Sequence, residues 1–256
     1  MRNTLKAPGS EPRHGVQAIA RAAAILRALE EEPQGLGISE LATVTALPKS
    51  TVHRLVTALA AERLASQDGE GRVRLGSAVA RLGAASREAL AEQLRPVLVD
   101  LRRRLDETVD LAVLDGVAVR FVEQVPAPRR LRAMSSVGEL FPLHCTANGK
   151  ALLAAMPTEQ VEALLPARLE RFTPQTITSR KKLLEELARV GETGVALDRG
   201  EHTEGICAVG AVVSGDGGNP LAAISVPVPA PRFYGREEEL AAAIGAAAMA
   251  AARALA

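Results

Sequence analysis

One helix constrains this chain more than any other stretch. After the Leu47-Pro48 turn, Val52, Leu55, Val56 and Leu59 fall at i, i+3, i+4 and i+7, which places them on one helical face. Ser50, His53, Arg54 and Thr57 repeat that spacing two residues earlier and occupy the opposite face. Residues 41–61 contain no acid, while Lys49 and Arg54 are cationic. A helix with one packing face and one donor-rich, acid-free face suits a DNA major groove, where side chains read base edges and phosphates repel carboxylates. Upstream, residues 16–32 read as a helix with Ile19, Ala22, Leu26 and Leu29 inward, and residues 33–37 break it. Ser39 is then placed to cap a short second helix with Leu41 and Ala42 inward. Downstream, 64–67 and 72–75 read as strands around a turn at 68–71, with Arg72 and Arg74 on one side and Val73 and Leu75 on the other. Helix, helix, turn, helix, hairpin is the order of a winged helix-turn-helix. The expected DNA contacts are Lys49, Ser50, Thr51, His53, Arg54 and Thr57 on the helix, with Arg72 and Arg74 on the wing reaching phosphates or the minor groove. The competing readings are a merely solvated helix and a winged helix used for protein contact.

Charge supports the nucleic-acid reading once it is split along the chain. The net charge is +1, yet residues 1–104 hold 16 Lys and Arg against 11 Asp and Glu, and the remainder holds 15 against 19. The basic part favours a polyanion. With 47% hydrophobic and 24% charged residues the composition is that of a folded soluble protein. Two cysteines, Cys145 and Cys207, build no disulfide framework, which fits a reducing cytoplasm. Residues 1–15 read as a flexible tail without the apolar core of a signal peptide, and the longest apolar run, 241–252, is too short to span a bilayer. No membrane association is expected.

Residues 77–94 read as a helix with Val79, Leu82, Leu90 and Leu94 inside, which Pro96 ends before a new helix carrying Leu98, Leu101 and Leu105. Strands at 109–114 and 117–125 flank Asp115-Gly116. Helices follow near 147–156, 158–165 and 179–190, then strands near 194–197, 206–213 and 221–227, and an Ala-rich helix over 235–255. The division is a tail (1–15), a DNA-binding domain (16–75), linker and dimerisation helices (76–105) and a ligand-sensing domain (106–256). Thr146 is an N-cap that leaves the amides of Ala147, Asn148 and Gly149 for a small carboxylate or phosphate. Asp198 ends one strand, Cys207 or Ala208 lies on the next and Ser225 on the one after, which makes a small-molecule pocket. An enzyme reading rests on His144-Cys145 as a nucleophile pair or Lys150 as a catalytic amine. It is weak, because neighbours on an extended segment point apart and Lys150 is expected to face solvent or a carbonyl. A metal site from Asp198, His202 and Cys207 lacks the usual ligand spacing, so neither metal nor cofactor is expected.

The stretch VQAIARAAAILRALEEEPQGLGISELATVTALPKSTVHRLVTALAAERLASQDGEGRVRLG resembles the DNA-binding domain of the IclR family of bacterial transcription factors. PLHCTANGKALLA, GVALDRGEHTEGICAVGAVV and LAAISVPVPAPRF resemble that family's effector domain. The resemblance implies an α+β chain: an N-terminal winged helix-turn-helix, a linker helix, and a GAF/PAS-like α/β effector-binding domain. It implies a repressor that binds a pseudo-palindromic double-stranded operator as a homo-dimer or homo-tetramer and answers to a small metabolite, often a carboxylate. Matched motif to motif, pocket roles fall on Ala147, Asn148, Asp198 and Ser225, with Gly149 and Cys207 beside them. Gly205-Ile206-Cys207-Ala208 puts Ala208 where many members have cysteine, and Pro227 replaces a second serine, so the pocket is less polar than in glyoxylate-type relatives. The competing class is an enzyme with a GAF-like domain and an appended nucleic-acid module.

Overall fold

A computed structural model describes residues 14–130, 132–133 and 136–255 of the chain. Of the expected tail, only His14 and Gly15 fall within the described residues, and they open the first helix. The chain forms two compact units, divided between Ser86 and Arg87.

The first unit holds α1 (His14–Glu31), α2 (Ile38–Val44), α3 (Lys49–Ala61) and the hairpin β1 (Ala65–Gln67) and β2 (Val73–Leu75). Its core joins Ile25 and Leu29 of α1, Leu41 of α2, Val52, Val56 and Leu59 of α3, and Val73 of β2. Ser39 does not cap α2. That place belongs to Gly37, whose N–H donates to Glu40 Oε2 at 2.7 Å, so the acid three residues on does the capping. Leu55 is half-buried against the core rather than within it.

The helix expected to end at Pro96 does not. α4 runs unbroken from Ser77 to Leu105 with Pro96 inside it. The missing proline N–H costs one helical hydrogen bond, but Leu94, Leu98, Leu101 and Leu105 on either side are all buried, and that burial keeps the helix continuous through the proline. Leu82, expected inside, is 62% exposed and Val79 is half-buried.

The second unit is a sheet of six antiparallel strands between two layers of helices. In chain order the strands are β3 (Val109–Asp115), β4 (Ala118–Val125), β5 (Leu140–Pro142), β6 (Ala196–Asp198), β7 (Ile206–Ser214) and β8 (Pro220–Pro229), arranged β5-β4-β3-β8-β7-β6. β5 is too short and too irregular in pattern for periodicity to find. One sheet face packs on α4 and on α9 (Glu237–Leu255), through Leu98, Leu101, Val209, Val226 and Ile244 among others. The other face meets α5 (Ala147–Ala154), α6 (Thr158–Leu164) and α7 (Arg180–Thr193), through Phe121, Leu152, Leu183 and Ala223. A four-residue α8 (Ala230–Phe233) turns the chain from β8 into α9. Strand alternation therefore sends Asp110 and Ala112 to the α5 side and Val109, Leu111 and Val113 to the α4 side.

The end of α5 sits closer to the sheet than any side chain would allow. A Cβ at Gly210 would lie 2.7 Å from the backbone carbon and oxygen of Ala147. A Cβ at Gly149 would lie 2.2 Å from the Leu143 carbonyl oxygen. Gly210 lets the first turn of α5 press onto β7, and Gly149 lets the same turn close on the backbone of Leu143.

Candidate functional site

On α3 the packing residues Val52, Val56 and Leu59 are buried, and Lys49, Ser50, His53, Arg54 and Thr57 are exposed, with Thr51 half-buried at the edge. The Thr57 hydroxyl donates to the His53 carbonyl at 2.9 Å, which leaves its oxygen as an acceptor. The helix thus presents two cations, an imidazole and three hydroxyls with no carboxylate among them.

The wing arginines are not presented in the same way. Arg72 donates Nε to the Gln34 carbonyl at 3.3 Å and Nη2 to the Gly35 carbonyl. Arg74 donates Nε to the Gln34 carbonyl at 3.2 Å and pairs with Asp68 at 3.3 Å. Both side chains fold back on the turn between α1 and α2, where Gly35 at φ +83° exposes its carbonyls to them. Their first role is to fasten the wing to the helices.

In the second unit a cavity of about 230 Å³ opens over the sheet at the N-terminus of α5. Ala147 and Asn148 form one wall. The Thr146 hydroxyl accepts the Gly149 N–H at 3.2 Å, so that amide is already satisfied and only the two before it remain at the open helix end. Asn148 is buried, and its Nδ2 has no hydrogen-bond partner among the described residues. An amide in that state costs stability unless something binds it. The floor follows from strand register: Asp110 pairs with Ser225 and Ser225 with Gly210 in one row, and Asp198 pairs with Ala208 and Ala208 with Pro227 in the next. Ser225, Pro227, Ala208 and Asp198 all line the cavity.

Two expected pocket residues lie elsewhere. Cys207 alternates to the opposite sheet face and packs in the core with α4 and α9, so Ala208 takes the wall position. Gly149 packs against Leu143 instead of facing the cavity. The structure adds lining groups that sequence spacing did not suggest: Asp110, Phe121, Arg132, Phe141 and His202. Asp110 accepts a hydrogen bond from Gln124 Nε2 at 2.8 Å. Arg132 donates Nη1 to the Arg129 carbonyl at 3.0 Å, while its buried Nε has no partner among the described residues.

Burial drives the Asp198 carboxyl up to about 7, helped by the nearby Glu201 charge and opposed by the Glu201 N–H, which it accepts at 2.6 Å. Near neutrality Asp198 can therefore carry a proton and donate a hydrogen bond. Behind it lies an ion cluster. Lys150 does not face solvent: it is fully buried, and its Nζ meets Glu201 Oε1 at 2.6 Å, Glu186 Oε1 at 3.4 Å and the Leu197 carbonyl. Burial raises the Glu201 carboxyl above its ordinary range although Lys150 pulls it down. At Glu186 burial is outweighed by hydrogen bonds from Arg189 and Lys150, and the carboxyl falls below its usual value. Lys150 thus pins α5, which carries Asn148, to β6, which carries Asp198, and to the turn after it.

The catalytic alternatives do not assemble. His144 Nε2 contacts the Glu170 carbonyl at 2.9 Å, and Cys145 is a buried thiol whose pKa burial pushes far up, the opposite of an activated nucleophile. Asp198 and His202 reach the cavity but Cys207 faces away, and among the described residues no group of three or more His, Cys, Asp or Glu is placed to hold a metal. No helix among the described residues is long and apolar enough to cross a membrane.

A winged helix-turn-helix with an acid-free recognition face, in one chain with an α/β unit that carries an open cavity with polar groups in its lining, defines a ligand-sensing DNA-binding regulator. The chain belongs to the IclR family of bacterial transcriptional regulators. The IclR helix-turn-helix domain model matches residues 18–69, and the bacterial transcriptional regulator IclR C-terminal model matches residues 82–254. The chain is 52% identical over 231 residues to HTH-type transcriptional regulator Rv1719 of Mycobacterium tuberculosis, covering 90% of this chain and 89% of that one. It is 32% identical over 225 residues to the transcriptional repressor IclR of Escherichia coli, covering 85% and 82%. Among solved structures, IclR of Thermotoga maritima superposes with a TM-score of 0.63 at 26% identity, covering 94% of this chain and 99% of that one. The chain is a transcriptional regulator of that family.

Proposed function

We propose that this regulator represses its target genes in the cytoplasm, binding a pseudo-palindromic operator as a dimer or tetramer and answering to a small carboxylate. In this reading residues 16–75 bind DNA, 76–105 link and dimerise, and 106–256 sense the ligand. Lys49, Ser50, Thr51, His53, Arg54 and Thr57 enter the major groove, and Arg72 and Arg74 act chiefly by holding the wing in place. One winged helix reads only a few base pairs, so a specific site calls for two symmetric copies.

The observation that carries the ligand reading is the buried, unpartnered Asn148 amide beside the open end of α5. Together with the Ser225 hydroxyl, and with Asp198 when it carries a proton, it supplies donors that suit an anionic group. Genome-wide mapping of the bound sites identifies the operator. Titrating that operator in the presence of small carboxylates then tests the reading: at least one should change operator affinity, and none should be converted to product.

A further inference from the structure

A run of arginine contacts joins the cavity to the end of α4. Among the described residues that line the cavity, Arg132 is the one permanent cation, since burial holds the His202 imidazole below its ordinary pKa. The Arg132 Nε is buried and has no partner among the described residues, while its Nη1 donates to the Arg129 carbonyl at 3.0 Å. Arg129 in turn holds Asp106 twice. Its Nε donates to the Asp106 carbonyl at 3.0 Å, and its Nη2 meets the Asp106 carboxylate at 2.7 Å.

Asp106 is the residue that closes α4. Its N–H donates to the Arg102 carbonyl at 2.9 Å, and its φ of +57° is the left-handed conformation that glycine or asparagine usually supplies at a helix end. Another residue type stays in that conformation where its surroundings impose it, and the two bonds from Arg129 do so here. A second tie runs alongside, from Arg102 Nε to the Pro126 carbonyl at 3.3 Å. On the other side of the corner, Glu107 is fully buried and fixed to α8 by two 2.7 Å bonds from Arg232. The β3 side is thus anchored to α8. The α4 side is gripped by the stretch that carries Arg129 and Arg132, with a longer 3.4 Å bond from Arg236 to the Leu105 carbonyl. From this corner α4 runs back without a break to Ser77, two residues past the wing strand β2.

We infer that Arg132 and Arg129 carry cavity occupancy to α4. An anion in the cavity gives the Arg132 Nε a charge-assisted partner. Arg132 moves toward it, and the Arg129 carbonyl and the grip on Asp106 shift in turn. Arg132 touches the ligand, and Arg129 is a positioning residue that acts through Arg132 and Asp106. The inference rests on the anion reading above and adds the path by which the signal leaves the cavity. Both side chains of the Arg129–Asp106 pair are partly exposed, so the pair adds little to stability and variants that break it should keep the fold.

Calorimetry and operator titrations on the full chain test this, with sodium acetate, pyruvate and benzoate as probes at constant ionic strength. In the parent, a probe that binds should change affinity for the mapped operator by about five- to 150-fold. In Arg129→Met and Asp106→Asn the same probe should bind within about threefold of the parent, while its effect on the operator falls below about twofold. Ligand-free operator affinity should stay at the parent value in both. Asp106→Asn keeps a side chain that tolerates the left-handed backbone, so it serves where Arg129→Met does not fold. Arg132→Met should weaken the probe itself by about tenfold or more. Both corner variants answering the probe like the parent, or Arg132→Met binding it at parent affinity, overturns the inference and keeps the carboxylate reading. Loss of ligand-free operator binding in both corner variants shows the grip to be structural and overturns it too. A parent that binds none of the probes, or binds one without any change at the operator, overturns both.

Discussion

Replacing Lys150 by Met removes the cation at the centre of a buried cluster and leaves the shape nearly unchanged. Glu201 then loses a 2.6 Å partner, and its other carboxyl oxygen, Oε2, has none among the described residues. Glu186 is less exposed to the loss, because Arg189 holds it at 2.7 Å. Breaking one side of a buried ion pair costs about 3–5 kcal/mol, a large part of the 5–15 kcal/mol typical of a folded protein. At about 2–4 °C per kcal/mol for a unit of this size, the melting temperature should fall by roughly 6–20 °C at pH 8. The pH dependence follows from the direction of the Glu201 shift. Burial already holds its folded pKa above the unfolded value, and without Lys150 it rises further, so the folded variant binds a proton that the unfolded chain releases. The penalty is absent below the unfolded pKa and grows as pH rises through the folded one. Circular-dichroism melts of parent, Lys150→Met and Lys150→Met/Glu201→Gln at pH 5 and pH 8 measure this. The single variant should lose less at pH 5, and the double variant should recover most of the loss at pH 8. A single variant as stable as the parent at pH 8, or a loss equal at both pH values, refutes the reasoning.

The Asp198 carboxyl titrates near pH 7 and turns from donor to repelling anion as pH rises. Carboxylate binding should therefore weaken by up to tenfold per unit above pH 7, and calorimetry at pH 6 and 8 on parent and Asp198→Asn should find that slope only in the parent. Gly210→Ala puts a Cβ 2.7 Å from the Ala147 backbone, so it should cost about 1–3 kcal/mol in denaturant unfolding and displace the end of α5 enough to weaken ligand binding as well. Arg72→Ala removes two bonds to the 34–35 turn. It should lower the stability of the first unit by about 1–3 kcal/mol in denaturant melts.

The first unit was legible because its signals are local: a two-faced helix, a turn before it and a hairpin after it each lie within a dozen residues. What local signals did not show, in either unit, depended on who else was nearby. Arg72 and Arg74 alternate outward as the strand pattern requires, but the carbonyls of Gln34 and Gly35 that capture them lie nearly forty residues away. Pro96 reads as a stop, and only the burial of Leu94 and Leu98 around it shows why the helix continues. In the second unit, Asn148, Asp198 and Ser225 were legible from a helix cap and strand ends. Asp110 and Phe121 were not, because their strands come early in the chain and join the cavity only through the pairing of β3 with β8. Choosing between Cys207 and Ala208 needed one bit, the face each takes on β7, which register supplies and composition does not. Arg132 and His202 sit in loops, where no period applies.

The central claim is that one chain carries two separable sites, a DNA-reading face on α3 and an anion cavity at α5. Operator titrations and ligand calorimetry on Arg54→Ala and Asn148→Leu test it together. Arg54 is exposed and touches no core residue's role, so Arg54→Ala should weaken operator binding by about 1–3 kcal/mol and leave ligand affinity at the parent value. Asn148→Leu should abolish ligand binding and keep ligand-free operator affinity. Each variant losing only its own activity is the predicted result; Arg54→Ala binding operator like the parent, or Asn148→Leu still binding ligand, would contradict it.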